Sequence, residues 1–121
     1  MCSIMMPKKD NKNFTLEDLF QIAKKRAKSS TPESSYTAFL LNSGSEKIAK
    51  KVVEEAFETA IASFQGKTHN SDKKQVIMES ADLIYHFFVL LISRKIELDD
   101  VISELEKRTK TSGIRKNIKK K

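Results

Sequence analysis

A chain of 121 residues with 39% hydrophobic and 32% charged residues sets one soluble, globular domain with a small core as the default. Its single cysteine, Cys2, excludes a disulfide framework and a Cys/His zinc site, while three Gly and two Pro favour a few long helices over many short strands. The net charge of +7 is a property of the tail: every acid lies at or before Glu106, whereas 107–121 carries eight Lys and Arg and no acid.

Residues 1–13 are polar, lysine-rich and aperiodic, which predicts a disordered N-terminal tail without the apolar stretch of a secretory signal. The longest fully apolar run, Phe87 to Ile92, is far short of the roughly 20 residues that span a bilayer, so a cytoplasmic protein is expected. Thr15 is an N-cap with Asp18 three residues on, and Leu16, Leu19, Phe20 and Ala23 form the apolar stripe of a first helix. Pro32 ends that helix. Glu33 to Leu41 reads as one or two helical turns, followed by a loop in which Ser45 is the cap of the next helix.

Glu46 to Phe64 repeats apolar residues at spacings of three and four, namely Ile48, Val52, Val53, Ala56, Phe57, Ala60, Ile61 and Phe64. A loop over 65–72, with Gly66 as its C-cap, leads to a second strong helix from Lys73 to about Arg94. That helix is apolar nearly all round, as helices buried on several sides are. Leu98-Asp99 opens a last helix with Val101, Ile102 and Leu105 facing inward. The expected fold is all-α, a bundle of four to five helices over 14–108 with a basic tail at 109–121. The second strong helix has more apolar surface than one small chain can cover, which predicts a homodimer.

The chemistry lies in paired acids. Glu55 and Glu58 are three apart on one strong helix, and Glu79 and Asp82 are three apart on the other, so each pair shares a face. Like charges at that spacing repel, and Glu79 and Asp82 sit on a helix too apolar to leave them far from the core. Lys50 and Lys51 precede Glu54 and Glu55 by four residues but leave Glu79 and Asp82 unpaired. A hard divalent cation held by two facing helices meets the need, and magnesium, which takes oxygen ligands and keeps places for phosphate oxygens, is the natural choice. No Glu-x-x-His occurs on either helix, which disfavours a di-iron site, and His86, four residues after Asp82, is placed behind the ligands. The competing reading is a wet face of Glu54, Glu55 and Glu58 with a thin polar stripe on the second helix; spacing alone leaves the two even.

The acid pairs resemble those of the MazG-like, all-helical nucleotide pyrophosphohydrolases. Pro32-Glu33-Ser34-Ser35-Tyr36-Thr37, the run from Glu46 through Lys51 to Glu58, Glu79-x-Ala81-Asp82 with Tyr85-His86, and Leu98-Asp99-Asp100-Val101 resemble more closely the phosphoribosyl-ATP pyrophosphohydrolase family, from about Leu16 to Arg108. The resemblance implies Mg²⁺-dependent hydrolysis of phosphoribosyl-ATP between the α and β phosphates, the second step of histidine biosynthesis, by a dimer. It implies metal ligands Glu55, Glu58, Glu79 and Asp82, with Glu54 as a further ligand or the group orienting water. Lys47, Lys50 and Lys51 would clamp the triphosphate, and Ser35, Tyr36 and Thr37 would touch substrate. The cyclohydrolase domain sometimes fused to this family is not expected in a chain of this length.

Two rivals share parts of this pattern. A house-cleaning pyrophosphatase of free nucleoside triphosphates would keep the metal site and differ in its base and ribose pocket. A non-enzymatic helical module would bind nucleic acid through the tail, but the tail has no aromatic interleaved for base stacking, so a solvated C-terminus is the favoured reading.

Overall fold

The structure, a computed structural model, describes residues 13–65 and 70–110, and of 65 and 70–72 the backbone alone. Among the described residues five helices follow in chain order: α1 (Leu16–Ser29), α2 (Tyr36–Ser43), α3 (Ser45–Gln65), α4 (Asn70–Ser93) and α5 (Leu98–Lys110). Among the described residues there is no strand, so the all-α expectation holds. The predicted tail at 1–13, apart from Asn13, the Gly66 cap and residues 111–121 of the basic tail lie outside the described residues.

Local chemistry sets the helix ends. Thr15 and Asp18 form a complete capping box, each side chain accepting from the other's backbone N–H at 3.0 Å. α2 starts later than Glu33 because Thr31 to Ser34 close a turn first, and Ser35 is spent as the N-cap, accepting from the Ala38 N–H. Gly44, at φ +101, separates α2 from α3, a conformation that suits a residue without Cβ. α4 begins at Asn70, earlier than the expected Lys73, and ends in a Schellman motif: the Ile96 N–H donates to the Leu91 carbonyl and the Lys95 N–H to the Ile92 carbonyl.

α3 and α4 form the main hairpin and run antiparallel, since Ser45 at the start of α3 hydrogen-bonds Ser93 at the end of α4. α1 and α2 cover the C-terminal half of α4. Phe20 stacks edge-on against Phe88, and Leu19, Ala23, Leu40, Ile48, Tyr85, Val89, Leu91 and Leu98 complete the core. α5 reaches that core through Leu98 and Val101, and Lys24 on α1 is tied to Glu97 at its entrance.

Several residues expected inside are outside in the single chain. Leu16, Ile102 and Leu105 are about half exposed, and Val53, Phe57, Phe64 and Ile77 are exposed by 65% or more. The cause is geometric: α1 and α2 reach only one end of α4, so the flank of α3 carrying Val53, Phe57 and Phe64 and the side of α4 carrying Ile77, Met78 and Ile84 are left partly or largely open among the described residues. By length and composition, Lys73–Ser93 could cross a membrane, at mean hydropathy 1.6. The core helix of a soluble bundle passes the same test, and this helix carries Glu79 and Asp82 within it.

Candidate metal centre

The two acid pairs do meet. Glu55 and Glu58 from α3 and Glu79 from α4 bring carboxylate oxygens within 4.8 Å of one another. Antiparallel packing makes this happen: with Ser45 opposite Ser93, ten residues of advance along α3 bring Glu55 level with the Glu79–Asp82 turn of α4. Asp82 is not one of that trio, but it is the largest like-charge influence on Glu55 and stands half-buried beside it.

Glu55 is the pivotal residue. It is 2% exposed, and its Oε1 is buried with no hydrogen-bond partner among the described residues. Its other oxygen lies 3.8 Å from the Lys51 ammonium. Burial, then the charges of Asp82 and Glu58, push its pKa above the ordinary carboxylate value, against the pull of Lys51. Asp82 is also pushed up, by burial and by Glu79. A buried carboxylate oxygen without a donor costs free energy in proportion to its charge. An all-oxygen cluster around such an atom is a donor set that suits a hard cation such as Mg²⁺.

Around the trio, Gln75 donates to Glu79 at 2.7 Å, fixing its carboxylate from one turn away. Lys51 reaches Glu54 at 3.3 Å. Burial pulls the Lys51 pKa down, but the bond to Glu54 and the charges of Glu54 and Glu55 outweigh it and hold the ammonium above its ordinary value. Lys51 therefore spends its charge on the acids beside it. Lys47 and Lys50 are exposed on the same helix, and Glu54 is exposed beside Lys51.

His86 is fully buried, and its two ring nitrogens are both engaged. Nδ1 lies 2.8 Å from the Asp82 carbonyl, which can only accept, so Nδ1 carries the proton. Burial lowers the His86 pKa and favours the neutral ring, so Nε2 accepts from the Tyr36 hydroxyl at 2.8 Å. Next to it, the buried Thr37 hydroxyl pairs with the Tyr85 hydroxyl. The start of α2 is thereby latched onto the turn of α4 that follows Asp82. Of the residues expected to touch substrate, Ser35 caps α2 and Thr37 is enclosed, while Tyr36 remains partly exposed at the latch. Sequence reasoning did not pair Gln75 with Glu79, although four residues apart on a helix is the spacing at which side chains meet, and it missed Tyr85 as the partner of Thr37, which no local spacing signals.

Residues 16–109 match the family model described as phosphoribosyl-ATP pyrophosphohydrolase. The chain belongs to the phosphoribosyl-ATP pyrophosphohydrolase family. It is 48% identical over 101 residues to a phosphoribosyl-ATP pyrophosphatase of Methylobacterium nodulans, covering 84% of this chain and 89% of that one. It is 50% identical over 99 residues to the protein of that name from Trichlorobacter lovleyi, covering 82% and 86%. A Clostridium botulinum phosphoribosyl-ATP pyrophosphatase is 41% identical over 110 residues, covering 91% of this chain and 94% of the relative. The match to the pyrophosphohydrolase family contains all four acids and the Tyr36–His86 latch.

The raised carboxylates make a prediction for the metal-free protein. Between the ordinary Glu value of 4.5 and the raised native value, the folded state keeps a proton on Glu55 that the unfolded chain has lost. This contribution to stability is present below about 4.5 and disappears as pH rises through the native value. His86 acts oppositely: below its ordinary 6.5 the unfolded chain takes up a proton the buried ring refuses. Comparing Glu55→Gln with wild type in EDTA cancels the histidine. The melting temperatures should be similar near pH 4 and diverge in favour of the glutamine variant as pH rises. The gap at neutral pH should be several degrees, about 1 kcal/mol or more. Differential scanning calorimetry across pH reads it directly.

Proposed function

We propose that this chain hydrolyses phosphoribosyl-ATP between its α and β phosphates, releasing pyrophosphate and leaving phosphoribosyl-AMP, the second step of histidine biosynthesis, in a cytoplasmic setting. The observation that carries the chemistry is the buried Glu55 Oε1, without a hydrogen-bond partner among the described residues, beside Glu58 and Glu79 in a chain of this family. Glu55, Glu58, Glu79 and Asp82 hold Mg²⁺. When bound, the ion supplies charge neutralisation on the phosphate oxygens and a more acidic water.

The residues of the chain do the rest. Lys51 balances part of the acid cluster, and Gln75 keeps Glu79 aimed. Glu54, exposed beside the cluster and hydrogen-bonded to Lys51, orients the attacking water. Lys47 and Lys50 extend from the solvent face of α3 within two turns of the acids and clamp the triphosphate. Tyr36 borders the substrate, fixed by His86.

We also propose a homodimer. Val53, Phe57 and Phe64 on α3 fall at helical spacing, as do Ile77, Ala81 and Ile84 on α4, and all are exposed in the single chain. An apolar surface of that extent on a soluble protein fits a self-association face.

The test of substrate is pyrophosphate release from phosphoribosyl-ATP set against ATP and a panel of deoxynucleoside triphosphates, all with Mg²⁺. Turnover of phosphoribosyl-ATP is expected to exceed that of every free triphosphate by 100-fold or more. Comparable or greater release from the free triphosphates would place the enzyme among the house-cleaning pyrophosphatases instead.

A further inference from the structure

Beyond the acids, at the C-terminal end of α4, a cavity of about 300 Å³ opens between α1 and the turn joining α4 to α5. That volume is at the small end of ligand-binding cavities. Phe20, Ile92 and Ile96 supply its apolar wall. Its charged lining is three ammonium groups, Lys24, Lys28 and Lys95, against one carboxylate, Glu97. Glu97 is committed to Lys24, with both oxygens 2.9 Å from its Nζ. Lys28 and Lys95 have no ion pair among the described residues. Asp99 and Asp100 are nearby in the first turn of α5, but neither lines the cavity, and Asp100 accepts from the Glu97 backbone N–H.

Lys95 stands where a different residue is cheaper. It is the C′ residue of the Schellman motif and takes φ +59, the left-handed conformation that favours glycine. Among the described residues it is the one non-glycine with positive φ. The side chain kept at that conformational cost is one of the two uncommitted cations of the cavity.

We propose that this cavity binds a small phosphate monoester, its dianionic head between Lys28 and Lys95 and its organic part against Phe20, Ile92 and Ile96. Two uncompensated ammonium groups match the charge of a phosphate monoester at neutral pH. The apolar wall and the volume leave room for a sugar-sized group beyond the phosphate. Ten residues of α4, a rise of about 15 Å, separate Ile92 from Asp82, so the site lies apart from the acidic cluster. The monoester has two sources of the same chemistry: a free sugar phosphate, or the 5′-phosphate that phosphoribosyl-ATP carries at the far end from its triphosphate. The second source rests on the function proposed above.

The experiment is calorimetric titration of the full chain with ribose 5-phosphate in EDTA, with inorganic phosphate and ribose as controls. Saturable binding of ribose 5-phosphate is expected, tighter than either control. It should weaken at least 10-fold in Lys28→Ala and in Lys95→Gly, and tighten several-fold in Glu97→Gln, which releases Lys24. Lys95→Gly also relieves the left-handed backbone and should melt above wild type, so lost binding there is not lost folding. KM for phosphoribosyl-ATP separates the sources. A rise of 10-fold or more in Lys95→Gly with kcat held identifies the substrate's own 5′-phosphate; an unchanged KM with lost ribose 5-phosphate binding identifies a separate ligand. The proposal is overturned if the Lys28 and Lys95 variants alter neither ribose 5-phosphate binding nor KM, or if inorganic phosphate binds as tightly as the sugar phosphate.

Discussion

Glu58→Gln and Glu79→Gln are each expected to lower kcat/KM for phosphoribosyl-ATP by roughly 100-fold or more, about 3 kcal/mol of transition-state stabilisation, while leaving the helices folded. The substitution keeps shape and removes one charge from three oxygens that lie within 4.8 Å of one another. In the metal-free state it removes repulsion, so the variants should melt no lower than wild type in EDTA. In wild type, Mg²⁺ should raise the melting temperature through selective binding to the folded state. That rise should shrink sharply in the variants. If the cluster were merely a wet helix face, turnover and the Mg²⁺ response would both survive. The paired measurements, steady-state kinetics and melting with and without Mg²⁺, separate a ligand from a structural acid.

The second large effect is on assembly. Phe57 and Ile77 are 65% and 67% exposed in the single chain. In the proposed dimer each is buried twice, once per subunit, because a twofold interface repeats every contact. Burying a side chain of this size contributes about 2–3 kcal/mol, so removing it from both subunits weakens association on the order of 10⁴-fold. Phe57→Lys adds an unpaired charge and should weaken it further. Wild type is expected to sediment as a dimer at micromolar concentration, with Phe57→Lys sedimenting as a monomer. A monomeric wild type would remove the dimer and leave the acid cluster, which sits within one chain, untouched.

The sequence carried the helices well where polar caps and periodicity agree. Thr15 with Asp18 announced α1, and the three-and-four spacing from Ile48 to Phe64 announced α3. The acid pairs were legible because a spacing of three puts both carboxylates on one helix face whatever surrounds them. What surrounds them was not legible. That Glu55 is enclosed while Glu54, its neighbour, is exposed depends on which side of α3 meets α4. Lys51 could as well have reached outward to a phosphate as inward to Glu54 and Glu55. Ser35 and Thr37 looked like hydroxyls available to substrate, but one caps α2 and the other pairs with Tyr85, since a buried hydroxyl needs a partner. His86 was placed behind the ligands by its distance from Asp82 along the helix, but its link to Tyr36 spans fifty residues and no local pattern encodes it. The left-handed Lys95 gave no signal because lysine is not the residue that marks such a turn. The apolar faces of α3 and α4 were recognised as apolar. Which of them the single chain would leave bare depended on how far α1 and α2 extend along α4.

If the carboxylates of α3 and α4 hold the divalent cation on which hydrolysis depends, turnover must follow both the ion and the acids. The most direct test follows pyrophosphate release from phosphoribosyl-ATP by wild type in Mg²⁺, in EDTA, and in EDTA with Mg²⁺ restored, beside Glu58→Gln under the same conditions. Release that stops in EDTA, returns with Mg²⁺, and is nearly absent in Glu58→Gln at every Mg²⁺ concentration tested is the predicted result. Release that continues in EDTA, or Glu58→Gln turning over like wild type, would contradict it.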